Sequence, residues 1–111
     1  MTLGAFELTP FATNQMYQTL SNDGRYIPLH TVTSVVTSEN ALLWKKAEFY
    51  SQRVDEAATY LLNYALYKVT TEGTAKRVGA TFGSVNMAGK TGATDDYRDS
   101  WFSGFDRNHV V

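Results

Sequence analysis

The sequence has no cysteine among its 111 residues, which excludes structural disulfides and thiolate-ligated metal sites. It has almost no net charge either: ten basic residues against eleven acidic ones leave −1. No basic field is available to attract nucleic acid or an anionic membrane surface. No apolar run approaches the roughly 20 residues that a membrane-crossing helix needs. The opening Met1-Thr-Leu-Gly-Ala-Phe-Glu7 lacks the basic start and long apolar centre of a secretory signal. The chain is therefore expected to be soluble, with no membrane segment and no nucleic-acid partner. Its two histidines, His30 and His109, have no His, Cys or carboxylate at ligand spacing. Neither reads as a metal ligand, and no metal or cofactor is expected.

What is present suffices for a core. Hydrophobic residues make up 43% of the chain, including seven Tyr, six Phe and two Trp. The length fits one domain or part of one. Thr9-Pro10 predicts a helix start, with Ala12, Met16 and Leu20 on one face beside Phe11 and Tyr17, and Asn22-Asp-Gly24 as the stop. Residues 31–37 and 41–46 are two β-prone runs around Ser38-Glu-Asn40, a hairpin that reads as packing surface. Asp55 predicts the cap of a second helix reaching about Thr71. Ala58, Leu62, Ala65 and Val69, widened by Leu61 and Leu66, form its apolar stripe, and Tyr60, Tyr64 and Tyr67 a half-buried second face. Gly73 ends it, residues 74–77 form a polar turn or short helix, and 80–84 lead into a strand.

The most informative stretch is Met87-Ala-Gly-Lys-Thr-Gly-Ala-Thr94, followed by Asp99-Ser-Trp-Phe-Ser-Gly104. The two runs predict an antiparallel hairpin, strands 85–93 and 98–106, across the polar connection Asp95-Asp-Tyr-Arg98. A further strand begins at His109-Val-Val111. Lys90, Thr91 and Gly92 together place an ammonium, a hydroxyl and a bare backbone where an anionic ligand could approach.

Three constellations compete for this stretch. Gly89-Lys90-Thr91 ends like a phosphate-binding loop, but the required first glycine falls on Ser84, and a strand rather than a helix follows. Asp95, Asp96, Asp99 and Asp106 lack the spacing of a calcium loop and read as a solvated turn. The third is the active-site serine acyltransferase set of Ser-x-x-Lys, Ser-x-Asn and Lys-Thr-Gly. Lys-Thr-Gly is present, no serine has Lys three residues on, and Ser38-Glu-Asn40 and Ser84-Val-Asn86 match Ser-x-Asn by letter only.

Leu8-Thr-Pro10, Gln15-Met-Tyr-Gln-Thr-Leu20 with Gly24, Thr70-Thr-Glu-Gly-Thr-Ala75, Ala88-Gly-Lys-Thr-Gly92 and Asp99-Ser-Trp-Phe-Ser-Gly104 occur in this order. Together they resemble the C-terminal part of the transpeptidase domain of class A penicillin-binding proteins, over nearly all of the chain. The resemblance implies an α+β fold: helices packed on a small antiparallel sheet, an incomplete piece of the penicillin-binding transpeptidase (serine β-lactamase-like) fold. It implies that residues 1–111 lack the nucleophile-bearing part. The parent would be a membrane-anchored periplasmic peptidoglycan synthase with a separate glycosyltransferase domain. Its serine cross-links stem peptides at D-Ala-D-Ala and is acylated by β-lactams.

Carried over by motif, Lys90 would serve electrostatics and proton handling, Thr91 would hold the ligand carboxylate, and Gly92 would let the substrate lie along the strand edge. The Ala93 N–H would be one oxyanion donor, its partner being the N–H of the absent serine. Ala93 departs from the family's usual Thr or Ser, with weaker β-lactam binding expected. Thr94 restores a hydroxyl one residue on, as a substrate contact, although alternation would aim it at the opposite face. The expected fragment is inactive alone and self-associates through an uncovered sheet edge and helix face. The alternative is a non-catalytic interaction or structural module on the same scaffold.

Overall fold

Thr9 and Pro10 start the first helix as their chemistry dictates. Helix α1 runs Pro10–Ser21, and the Thr9 hydroxyl accepts the Ala12 N–H at 3.1 Å. The computed structural model describes residues 6–83, 85–96 and 98–111. After Asn22, Asp23 and Gly24 turn the chain at positive φ, 57° and 82°. The Val54 carbonyl lies where a Gly24 Cβ would go, so this position needs glycine on two grounds. Met16 and Phe11 on α1 stay exposed, while Tyr17 and Leu20 turn to the core.

Strand β1 (Arg25–Tyr26) pairs antiparallel with β4 (Ser51–Gln52), and the two form a stem. Beyond the stem projects the expected hairpin, trimmed at its ends to β2 (Ser34–Val36) and β3 (Leu42–Lys45), with a bulge between Val35 and Val36. Asn40 sits at φ 63° in its turn, and the Thr37 hydroxyl accepts the Glu39 and Ala41 N–H groups. Every residue of both hairpin strands is exposed, and the hairpin contacts no other described helix or strand.

Helix α2 (Glu56–Thr71) begins at Asp55, whose carboxylate accepts the Ala58 N–H at 3.0 Å. Only part of its apolar stripe faces the core: Leu66 is buried and Val69 half-buried. Ala58, Leu61, Leu62 and Ala65 are exposed, as are Tyr60 and Tyr64. The inward face is Thr59, Leu66 and Thr70, with Asn63 and Tyr67 half-buried beside them. The threonines can be buried because each satisfies its hydroxyl on backbone: Thr59 on Asp55, Thr70 on Met87. Asn63 donates to the Leu20 carbonyl at 2.8 Å and ties α2 to the end of α1.

The stretch after α2 corrects the sequence reading again. Residues 80 and 81 do not lead into a strand but close a third helix, α3 (Lys76–Thr81). The Phe82 N–H donates to the Val78 carbonyl and the Thr81 hydroxyl to that of Arg77. Ser84, with its Ser-x-Asn match, and Tyr97, in the Asp95–Arg98 connection, lie outside the described residues.

Strands β5 (Ala88–Ala93) and β6 (Ser100–Phe105) form the expected antiparallel pair, shorter than 85–93 and 98–106. Where a third strand is expected, the described residues form a single bridge, Phe105 with Val110, beside which Gly104 and Val111 exchange both N–H···O bonds, at 2.8 and 2.9 Å. Leu66, Ala88 and Phe105 form the buried centre, closed by Tyr17, Leu20, Tyr67 and Val110. Burial pushes the Tyr17 phenol pKa up.

This core is small for the chain. The molecule exposes 8861 Å², against about 6,100 Å² for a typical folded monomer of this mass. Its radius of gyration is 16.9 Å, where a compact domain of this length has about 13 Å.

Candidate active site

The direction of each backbone group along β5 follows from β6. Because Gly104 spends its N–H and C=O on Val111, it has neither for its register partner Gly89. Alternation then assigns Ala88, Lys90 and Gly92 the bonds to β6. The backbone groups of Gly89, Thr91 and Ala93 point to the opposite edge of β5, which no described strand pairs. Before the strand, the outward Met87 carbonyl is already taken by the Thr70 hydroxyl at 2.6 Å. Further along, the Thr91 and Ala93 N–H groups face the unpaired edge, where the Thr91 carbonyl accepts the Lys90 ammonium.

Lys90 is exposed, and its ammonium folds back over that edge, donating to the Thr91 carbonyl at 2.8 Å and lying 3.4 Å from the Thr91 hydroxyl. The Thr91 hydroxyl also lies 3.0 Å from that of Thr74 in the turn after α2. Thr91 is thus the centre of a short polar chain: Thr74 hydroxyl, Thr91 hydroxyl, Lys90 ammonium. Sequence reasoning assigned no role to Thr74, although it stands inside the Thr70–Ala75 block. Its partner is 17 positions away, beyond any local periodicity.

Gly92 differs from its neighbour Gly89. A Cβ at Gly89 would meet the Phe102 ring at 2.5 Å, so the fold itself requires glycine there. A Cβ at Gly92 would make only an ordinary 3.7 Å contact with Trp101. Nothing inside the fold demands glycine at 92. Ala93 is exposed beside it, with its N–H directed to the open edge. Thr94 is engaged elsewhere, since its hydroxyl accepts the Arg98 and Asp99 N–H groups at 3.1 and 3.2 Å and closes the β5–β6 connection.

Among the described residues no three His, Cys, Asp or Glu side chains gather where they could hold a metal. Asp106 accepts the Asn108 and His109 N–H groups at 2.7 and 2.8 Å, which hold its carboxyl below its ordinary range. His109 is not isolated from carboxylate, as its spacing implied, for its ring nitrogen lies 3.3 Å from Asp106. A cleft of about 310 Å³ lies between α2, α3 and the approach to β5, lined by Tyr67, Lys76, Phe82 and Asn86 among others, and does not include Lys90 or Thr91. Among the described residues no helix is long and apolar enough to cross a membrane.

β5 is thus an antiparallel strand with one unpaired edge, bearing Lys90-Thr-Gly92 and backed by α2. Residues 1–109 fit the family model "Penicillin binding protein transpeptidase domain", and the chain belongs to that family. It is similar to penicillin-binding protein 1B of Vibrio cholerae, 46% identical over all of this chain and 14% of that protein. It is also similar to penicillin-binding protein 1B of Escherichia coli, 34% identical over all of this chain and 13% of that one. The chain thus spans about one seventh of the curated relatives it matches. Among solved structures, the D,D-transpeptidase domain of an Eggerthella lenta peptidoglycan glycosyltransferase superposes with a TM-score of 0.71, at 23% identity, covering 85% of this chain and 23% of that one. Penicillin-binding protein A of Mycobacterium tuberculosis, as its imipenem acyl-enzyme, gives 0.72 at 21% identity, covering 90% and 22%. The fold is accordingly an incomplete piece of the penicillin-binding transpeptidase fold.

Proposed function

We propose that this chain forms one wall of the active site of a peptidoglycan transpeptidase, and that its part in the reaction is to bind and polarise an extended acyl donor. The observation that carries this reading is the open edge of β5 at Thr91 and Ala93, beside an exposed Lys90. A stem peptide laid along that edge would act as an added strand. Its scissile D-Ala carbonyl would accept the Ala93 N–H, which stabilises negative charge as the carbonyl becomes tetrahedral. Gly92 leaves the approach clear, Thr91 supplies a hydroxyl donor for the terminal carboxylate, and the Lys90 ammonium adds positive charge. Thr94 stands next to this group and completes the loop behind it.

The nucleophile is not in this chain, since no serine is followed three residues on by Lys. On this reading a serine of a longer protein attacks the penultimate D-Ala carbonyl. The C–N bond to the last residue breaks, D-Ala leaves as the protonated amine, and the ester passes its acyl group to a neighbouring amine. β-Lactams enter the same site, and their ring nitrogen stays attached. The parent then works at the periplasmic face of the inner membrane, and the 111-residue chain is inactive alone.

The test is labelling of the longer protein by a fluorescent penicillin, beside Lys90→Ala and beside the 111-residue chain. A covalent band that falls at least tenfold in the variant, with none from the short chain, supports the reading. A folded full-length protein that takes no label overturns it in favour of a scaffold without the chemistry. A labelled short chain overturns the assignment of the nucleophile.

A further inference from the structure

The Thr91 hydroxyl has one hydrogen and two neighbours on its oxygen. The Lys90 ammonium approaches it at 3.4 Å, the Thr74 hydroxyl lies at 3.0 Å, and either threonine can be the donor of that second contact. If Thr91 donates to Thr74, it has no hydrogen left for a ligand. If Thr74 donates to Thr91, the Thr91 hydrogen is free to turn outward. A hydroxyl that already accepts hydrogen bonds is also a stronger donor, because chained hydrogen bonds polarise one another.

We propose that Thr74 is a positioning residue for anionic ligands: its hydroxyl donates to Thr91 when a carboxylate is bound and so aims the Thr91 hydrogen at that carboxylate. This rests on the reading above, in which Thr91 faces the ligand.

The fold holds Thr74 at its post from both sides. Gly73 packs so closely on Val69 that a Cβ there would come within 2.8 Å of the Val69 Cα. Next in sequence, Ala75 is buried, and its N–H donates to the Val69 carbonyl at 3.1 Å. Across the gap, the Thr70 hydroxyl fixes Met87, four residues before Thr91, as Thr70 is four before Thr74. Both ties span 17 positions, so the end of α2 is laced to β5 at two places. The first tie is buried at Thr70, which is 2% exposed, and is structural. The second joins an exposed Thr74 to a half-buried Thr91, and neither end lies in the buried core, so water could serve Thr74 equally well. Its position beside the open edge, rather than any need of the core, is what accounts for it.

The experiment compares acylation rates of the longer protein by a penicillin and by the methyl ester of the same penicillin, which keeps the reactive ring and lacks the carboxylate charge. Thr74→Val is expected to slow the penicillin about tenfold, the scale of one hydrogen bond to a charged group, and to leave the ester rate unchanged. Thr74→Ser restores the penicillin rate. A variant that slows both substrates equally, or a Ser variant that rescues nothing, makes Thr74 merely structural and overturns the proposal; the melting temperature of Thr74→Val, expected unchanged, checks the same point. Unchanged penicillin rates in Thr74→Val overturn it while leaving the transpeptidase reading intact. A wild-type protein that takes neither substrate overturns both.

Discussion

Thr70 and Met87 are joined by a 2.6 Å hydrogen bond between a side chain that is 2% exposed and the carbonyl that precedes β5. That bond fixes where α2 ends against the sheet and where the open edge begins. Thr70→Val keeps the shape and strands the carbonyl, at a cost of about 1–3 kcal/mol. Denaturant unfolding of the two proteins measures it, and equal midpoints would show that the bond does not anchor the helix.

Gly89 and Gly92 lie three residues apart and answer to different constraints. Gly89→Ala forces a methyl against the Phe102 ring, an overpacking expected to cost about 1–3 kcal/mol. Gly92→Ala has room and is expected to leave stability within about 0.5 kcal/mol while reducing penicillin labelling of the longer protein. If the two variants lose stability equally, the edge at Gly92 is not free.

The uncovered apolar surface has a solution consequence. Leu42, Leu43 and Trp44 on the projecting hairpin and Leu61 on α2 are all exposed, and a net charge of −1 offers little mutual repulsion. The isolated 111-residue chain is expected to self-associate, with an apparent mass that rises with concentration in light scattering. Leu42→Ser with Leu43→Ser should lower that mass without lowering the melting temperature, because the hairpin contacts no other described helix or strand. A monomer at all concentrations would contradict this.

Asp106 gives the chain an acid-sensitive turn. Backbone N–H groups of Asn108 and His109 hold its carboxyl pKa below the ordinary 3.8. A group depressed on folding contributes stability above its unfolded pKa and loses it as the pH falls through the folded one. Unfolding monitored from pH 5 downward should therefore show a loss beginning near pH 4, and Asp106→Asn should flatten that limb. An unchanged slope would assign the acid limb to other groups.

Much of this was legible in the chain itself. Thr9-Pro10 and Asp55 marked their helices because N-caps act through local hydrogen bonds. The two strand-like runs around Lys90 and Trp101, on either side of the polar residues 95–98, marked the sheet. The inward face of α2 was legible only in part, since apolar periodicity included Leu66 but also pointed to Leu61 and Leu62, while the other buried positions are Thr59 and Thr70. A threonine whose hydroxyl is satisfied by backbone packs like a small apolar residue, and sequence alone does not reveal the partner. The two-residue strands β1 and β4 are too short to show a period. Thr74 was hidden for the same reason as Thr70: its role is a contact made across the fold.

The pair of hydrogen bonds between Gly104 and Val111 sets a rhythm that solvent can read. Lys90 and Gly92 share their amides with β6, while the amides of Thr91 and Ala93 face the open edge. In deuterated water the strand should therefore exchange in alternation, slow at 90 and 92, fast at 91 and 93. A ligand that adds itself as the next strand would silence the fast pair, so the protons of two residues would record when the site is filled.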